Sequence, residues 1–574
     1  MSQSGSSPLT GQDLTSEQIV EIARHGATVS LGENARANLV ATRQFIEENW
    51  LVDDAPLMYA FNTGVGALKN QRIGAQDIAR FQRNLIHSHS ASTGELMPKE
   101  VVRAMMAIRI NTFARNHSGI RIEVVDRLIA MLNHGITPVI AAKGSVGASG
   151  DLAPLAIMSG ALLGLEQSKV DFRGTIVSAR SAFEQAGMAP TFDVEAKDAT
   201  ALINGSTASL AYAVLAAFDA RRLLSNAMIA LALSLEAIRA ERSCFEDRVM
   251  LARPHPGQRR VAGAIRLLLQ GSARCTDAAR AVALEDALRG DGAPGAALSA
   301  PTAPTAPTAP TAPTAPTAPT APTAQPRIQD VYSFRCAPQV YGPVLDALDY
   351  IDAILLTEMN SATDNPLIFA SQQGYDIVSC GHFHGQYVAQ AMDLLALVVT
   401  DLSAICDRRN NLLIDPAYNF GLPRNLIAIE PGINTGFAVV QSMGTGLVLE
   451  NMGLCSPASV ISLPAKGNQE DHISNSCFAA RRTRTVVDNA QAVVSAEILI
   501  AAQALDLAQP VLSALPVGLG ARAAWERVRL AVPAMLGDDR WVHDDIEAIK
   551  CMVRDASLID AVTAACGDLW APSE

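Results

Sequence analysis

Residues 207–240, TASLAYAVLAAFDARRLLSNAMIALALSLEAIRA, contain neither proline nor glycine and are apolar over most of the circumference a helix would present. Ala and Leu give up little side-chain freedom in a helix, so local preference and burial point the same way. A helix apolar all round must be enclosed on several sides. Three further stretches, 338–358, 386–412 and 479–506, are likewise rich in Ala and Leu, and all exceed the usual helix length of about 11–12 residues. The chain is therefore expected to be mainly α, built on a long central helix bundle. With 574 residues and 49% hydrophobic content it has ample core-forming material. One copy is expected to be too small to surround several such helices, which makes association of copies a natural way to bury them.

Shorter elements precede the bundle. The pattern from about 15 to 50 is helical and amphipathic, and Ser30 and Leu31 open the run SLGENARANLVATRQFIEENW. Gly64, Gly66 and Gly74 break the stretch 59–74, which places Tyr59 on or beside a loop. Helices are expected at 76–89, 98–115 and 121–134, and short strands at 367–370 and 376–379 around the turn SQQGYD. The expected organisation is an N-terminal mixed part, 1–204, the bundle, 205–520, and a C-terminal helical segment, 521–574. Residues 301–324 are eight copies of Pro-Thr-Ala, which excludes helix and central strand and favours an extended polyproline-like chain. Together with the Gly- and Ala-rich stretch before it, 286–325 reads as a surface insertion.

Charge and composition narrow the partners. Asp and Glu outnumber Lys and Arg by 57 to 45, and no basic run alternates with aromatics, so neither nucleic acid nor an anionic membrane is an expected partner. Charged and polar residues interrupt the apolar segments near 206–235 and 386–404 too often for a clean membrane span. The polar start MSQSGSSPLTGQDLTSEQ has no secretory pattern, and a cytoplasmic location is expected. Nine scattered cysteines show no metal-binding spacing, and no metal is expected.

The segment most suggestive of chemistry is AAKGSVGASGDLAPL, 141–155, where small residues crowd before a helix start. Gly150 has no side chain to hinder its backbone nitrogen from approaching the carbonyl carbon of Ala148. Ring closure with loss of one water, and loss of a second from Ser149, would give a methylidene-imidazolone, an electrophile no ordinary side chain matches. Asp151 could orient the backbone for that closure. Taken alone, Ala-Ser-Gly is a common tripeptide and reads as a loop before a helix.

Seven other segments change that weighting. They are YAFNTGVG at 59–66, RNLIHSHSASTGE at 83–95, LINGSTAS at 202–209, QDVYSFRCAPQVYG at 329–342, NSATDNPL at 360–367, GHFHGQY at 381–387 and LPAKGNQEDHIS at 463–474. With 141–155, in this order, they resemble the aromatic amino acid ammonia-lyase and aminomutase family, over roughly 20–550 apart from the repeat. The resemblance implies the fold of the aromatic amino acid lyase and fumarase-like superfamily. It also implies a methylidene-imidazolone formed autocatalytically from Ala148, Ser149 and Gly150, no diffusible cofactor, and a homotetramer whose neighbouring subunits complete each active site.

The implied roles are carried over one residue at a time. Tyr59 matches the general base that takes the β-proton, and a phenol in that role needs a positive or hydrogen-bonding environment. Asn204 matches the asparagine that holds the prosthetic carbonyl. Gln329 and Tyr332 match residues lining the same pocket, Arg335 the arginine that grips the substrate carboxylate, and Phe383 an aromatic packed against the prosthetic ring. Fumarase-like lyases without a built-in group carry a GSSxMPxKxN loop, and no such string occurs here. A non-catalytic relative would be expected to have lost Ser149 or Tyr59.

Selectivity turns on two residues. His89 stands where histidine-specific members carry histidine, although bacterial tyrosine lyases and aminomutases can share the Ser88-His89 pair. Glu470 lies in NQED followed by His472, as in histidine-specific members, and a carboxylate suits an imidazole N–H far better than a phenyl ring. The expected reaction is elimination of ammonia from an aromatic L-amino acid, with histidine leading and urocanate as product. Tyrosine or phenylalanine lyase and 2,3-aminomutase activities remain open. Ala60, His382 and Gln386 depart from the histidine-specific pattern and could retune the pocket.

Overall fold

The computed structural model describes residues 7–52, 55–284, 288 and 328–571. The Pro-Thr-Ala repeat and, apart from Leu288, the whole insertion at 286–325 lie outside them. The run at 207–240 forms one helix, Thr207–Ile238, and the other three apolar stretches form Ala337–Met359, Gln386–Leu413 and Ser476–Leu512. The protein is mainly α-helical, with a large bundle and a smaller mixed N-terminal region. A fifth long helix, Ala438–Leu454, went unforeseen. Its glycines at 444, 446 and 453 each cost about 1 kcal/mol against Ala in a helix and mask the helical pattern. Gly444 serves close packing, since a Cβ there would come within 2.8 Å of Asp407 Oδ1.

Within Thr207–Ile238 only Phe218, Arg221 and Arg222 are less than fully buried. Its enclosure needs no second copy of the chain, contrary to the expectation from its composition. Exposed apolar side chains occur instead on other elements, among them Tyr387 and Leu397 on Gln386–Leu413 and Val439, Leu449 and Met452 on Ala438–Leu454. Gln386–Leu413 and Ser476–Leu512 are long and apolar enough to cross a membrane, but 61% and 94% of their apolar windows are buried inside the chain.

The chain divides into two compact units. The first comprises 1–224, 343–402 and 447–490. Its N-terminal pattern is two helices rather than one: Ser16–Arg24, with a Thr15/Gln18 capping box, and Glu33–Asn49. Between them Val29–Leu31 pairs in parallel with Ser7–Leu9. Helices Ile78–His89, Lys99–Ala114 and Ile122–Asn133 follow within two residues of the expected bounds. Fourteen residues of Lys99–Ala114 are buried, so it forms the centre of this part. The hairpin Leu367–Ser371 with Gly374–Val378 is antiparallel.

The second unit comprises 225–342, 403–446 and 491–574. At its core the fully buried Arg409 donates to Glu497 through Nε at 2.5 Å and Nη2 at 2.8 Å. Ser234 Oγ adds a bond to Glu497 at 2.8 Å, and Arg409 Nη1 reaches the Ser333 carbonyl at 3.0 Å. That last bond ties the short helix Tyr332–Arg335 to the bundle interior. Breaking one side of a buried pair strands a charge, at about 3–5 kcal/mol, whereas replacing both sides by apolar groups is often neutral. Glu497→Leu is expected to lower the unfolding midpoint sharply in thermal or denaturant melts, and Arg409→Met combined with Glu497→Leu to recover most of the loss.

Candidate active site

The small residues of 144–150 allow three pieces of backbone to meet. Gly150 has φ +74°, and a Cβ on it would collide with the backbone of Gly205. In place of side chains the two segments exchange hydrogen bonds: Gly205 N–H donates to the Ser149 carbonyl at 3.2 Å, and Asp151 N–H to the Gly205 carbonyl at 2.8 Å. Gly147 has φ +68°, and a Cβ there would strike the hydroxyls of Ser474 and Ser476. Asp151 is fully buried and accepts from Ser209 N–H at 2.6 Å, Ser145 Oγ at 2.7 Å and Ser209 Oγ at 2.9 Å. Its carboxylate thus joins the residue before helix Leu152–Leu163 to the first turn of Thr207–Ile238.

This segment borders a cavity of about 880 Å³ lined entirely by residues of the first unit. Tyr59, His89, Ala148, Ser149, Asn204, Phe383 and Glu470 all line it. Segments more than 400 residues apart in the chain are thereby brought to one place. Gln329, Tyr332 and Arg335 belong to the second unit. There Tyr332 is exposed, Arg335 Nε donates to the Asp330 carbonyl at 2.9 Å, and the Arg335 guanidinium stacks over the Tyr332 ring at 4.6 Å. The terminal nitrogens of Arg335 carry no partner among the described residues. A separate cavity of about 560 Å³ beside Arg24, His25, Lys99 and Arg103 holds none of the candidate residues.

Tyr59 Oη accepts from Gly66 N–H at 3.1 Å. Burial, with smaller contributions from the charges of Glu470 and Asp364, nevertheless raises its phenol above the usual value. His89 ends the helix Ile78–His89, and its Nδ1 lies 2.8 Å from the Leu85 carbonyl. A carbonyl only accepts, so Nδ1 carries the proton and Nε2 is left as an acceptor. Burial lowers the pKa of His89 and keeps it neutral.

Glu470 is 10% exposed. Its Oε1 accepts from Lys466 Nζ at 2.6 Å and from the Ser149 hydroxyl. Its Oε2 is buried and has no hydrogen-bond partner among the described residues. A buried carboxylate oxygen without a donor is costly, and this one borders a cavity.

Asn204 differs from expectation in its bonding. Its amide nitrogen donates to Asp364 Oδ1 and to the Asn365 carbonyl, both at 3.0 Å. One amide hydrogen thus goes to the Asp364 carboxylate and the other to the Asn365 carbonyl, and the Ser149 carbonyl receives its hydrogen bond from Gly205 N–H instead. The sequence hint for Gly205 is its place between Asn204 and Ser206 in a segment otherwise set to be helical. The residues that depart from the histidine-specific pattern lie off the cavity lining. Ala60 is fully buried with φ +65°, His382 is exposed, and Gln386 Nε2 donates to the Ser459 carbonyl at 3.2 Å. The histidines beside Phe383 that do line it are His384 and His472, with ring centres 5.6 Å apart.

A sequence model for the family described as aromatic amino acid lyase matches residues 14–530. The chain is 38% identical to histidine ammonia-lyase 2 of Fusobacterium nucleatum, covering 92% of this chain and 93% of that protein. The crystal structure of tyrosine aminomutase from Streptomyces globisporus superimposes with a TM-score of 0.84 at 31% identity, over 98% of this chain and 99% of that one. Histidine ammonia-lyase from Trypanosoma cruzi gives a TM-score of 0.82 at 30% identity, over 99% and 98% of the two chains. With its glycine-lined backbone junction and the cavity beside it, the chain belongs to the aromatic amino acid lyase family.

Proposed function

We propose that this chain is a histidine ammonia-lyase that converts L-histidine to urocanate and ammonia. The observation that carries the reading is the buried, unpaired Oε2 of Glu470 on the cavity wall. It calls for a donor from the substrate, and an imidazole N–H supplies one. His89 Nε2 offers a second acceptor on the same cavity. Two acceptors suit an imidazolium ring, which has two N–H groups, and leave a phenyl ring facing unpaired polar atoms.

Ala148, Ser149 and Gly150 fit the methylidene-imidazolone that this family makes. The left-handed Gly150 pressed on Gly205 is a cradle that any Cβ would fill, and Gly205 N–H already addresses the carbonyl that the ring would retain, that of Ser149. The group supplies an electrophile that takes up the substrate amine and makes it a better leaving group. Phe383 borders the same wall of the cavity. Tyr59 takes the β-proton, and the Gly66 N–H that reaches its oxygen steadies the phenolate. By resemblance to the family, Arg335, whose terminal nitrogens have no hydrogen-bond partner among the described residues, takes the part of gripping the substrate carboxylate in a bidentate pair, and Gln329 and Tyr332 that of pocket-lining residues. In this reading the chain acts as a cytoplasmic homotetramer whose neighbouring subunits complete each site.

A second reading draws on the likeness to the tyrosine aminomutase. A phenol O–H can also donate to Glu470, and an aminomutase would share the first chemistry but return the amine to the β-carbon.

Four outcomes are expected. The intact protein should weigh two waters less than its encoded sequence, with the loss confined to a peptide holding Ala148 to Gly150 and absent in Ser149→Ala. An unmodified mass in an active preparation would rule out the prosthetic group. Among L-histidine, L-tyrosine and L-phenylalanine, histidine should be turned over fastest when the ultraviolet absorbance of each product is followed. Glu470→Gln should reduce that rate by about tenfold to a hundredfold, the equivalent of roughly 1–3 kcal/mol. Tyrosine as best substrate, or accumulation of a β-amino acid, would favour the second reading. Because burial raises Tyr59 and only its deprotonated form is a base, kcat should climb with pH into the alkaline range. A plateau already reached at neutral pH would place the base elsewhere.

A further inference from the structure

Behind Asn204 lies a charge cluster that the elimination does not use. Lys197 and Asp364 are both fully buried, and Lys197 Nζ donates to Asp364 Oδ2 at 2.8 Å. The other oxygen, Oδ1, accepts from Asn204 Nδ2 at 3.0 Å and from Asn365 N–H at 2.7 Å. The second hydrogen of Asn204 Nδ2 goes to the Asn365 carbonyl at 3.0 Å. Lys197 and Asn204 flank the short helix Asp198–Ile203, so both ends of that helix are tied to one carboxylate. Lys197 holds a left-handed φ of +71°, uncommon for a residue with a side chain, while its ammonium stays on Asp364. Arg109, also fully buried, holds the same region from the other side through the Ala201 carbonyl and Thr207 Oγ1.

Stability alone gives no reason for such a pair, since two apolar residues of similar volume would do as well in a dry interior. Orientation does give one. A carboxylate only accepts, so the Asn204 amide has a single allowed setting, with nitrogen toward Asp364. Its oxygen has no partner among the described residues, and Asn204 lines the cavity. The Asn365 carbonyl holds the other amide hydrogen, so a neutral residue at 364 would weaken one of the two acceptors that set this orientation and leave the other. An amino group that must present its lone pair to an electrophile is best oriented by acceptors that hold its hydrogens.

We propose that Lys197 and Asp364 are a positioning pair that fixes the Asn204 amide with its oxygen toward the cavity, which makes Asn204 an acceptor for the substrate's amino group. This rests on the ammonia-lyase reading of the site. The test compares Asn204→Ala, Asp364→Asn and the double variant with the unaltered full-length protein. Intact mass is read first, so that rates are expressed per chain that has lost two waters. Asp364→Asn should lower kcat by about tenfold to a hundredfold, as for loss of a hydrogen bond to a charged group, with KM moving less than about threefold. In the Asn204→Ala background the same change should cost less than about threefold more, because the two residues act as one. Fully additive losses overturn the proposal, as does an unchanged kcat in Asp364→Asn. The same coupling is read with Lys197→Gln, which keeps a donor for Asp364 without the charge, so the test does not hang on one variant folding. Turnover by the unaltered protein reports on the lyase reading itself. The coupling is measured on whichever aromatic L-amino acid that protein consumes, so the two can fail separately.

Discussion

The approach of Gly150 to Gly205 is the contact on which the site depends. Two peptide backbones come closer there than any Cβ would allow, and they satisfy each other's N–H and C=O groups instead of those of water. The contact sets the start of helix Leu152–Leu163 against the start of Thr207–Ile238, and the buried Asp151 bonds the first turn of the second helix. A carboxylate among helix N-termini is favoured by their partial positive charge, which offsets part of the cost of burying it. The result is a rigid backbone frame around Ser149 that owes little to side-chain packing.

Two kinds of polar group surround that frame. Those behind it are paired: Asp151 with two serines, and Asp364 with Lys197, Asn204 and the Asn365 N–H. On the cavity side the buried Oε2 of Glu470 is left without a partner among the described residues. A buried group stays unpaired at a free-energy cost unless a ligand satisfies it, so this open oxygen marks where a donor of the substrate belongs.

Much of this was legible in the sequence, for identifiable reasons. The four long apolar helices announced themselves because runs of Ala and Leu with little proline read the same whether judged by propensity or by burial. Ala438–Leu454 stayed hidden because three glycines interrupt its helical pattern, of which Gly444 packs against Asp407, a partner invisible to a local pattern. The strand Val29–Leu31 split an apparent single helix because its pairing partner, Ser7–Leu9, lies some twenty residues away. In the site, motif matches located the seven cavity residues, but not which groups they bond. NSATDNPL was visible as a segment, yet Asp364 followed by Asn-Pro reads as a turn, and nothing local reveals the buried Lys197 that faces it. His384 was likewise overshadowed by His382, whose side chain the fold leaves exposed.

The division between frame and cavity also explains how one architecture can carry different aromatic substrates. The frame is built from backbone and from buried pairs, so most changes to it would remove the electrophile altogether. The two residues proposed to select the ring sit on softer elements: His89 is the last residue of its helix, and Glu470 lies in an irregular loop where Lys466 and Asn468 adopt left-handed φ values of +50° and +64°. Loops of this kind tolerate substitution because few core contacts depend on them. A change at Glu470 removes one acceptor from the cavity and the partner of the Ser149 hydroxyl, but it leaves the backbone bonds of the Gly150–Gly205 junction untouched. Reading the substrate from this protein therefore means reading the unpaired atoms of the 463–474 loop and the end of the helix at His89, while reading the reaction means looking at the junction beneath them.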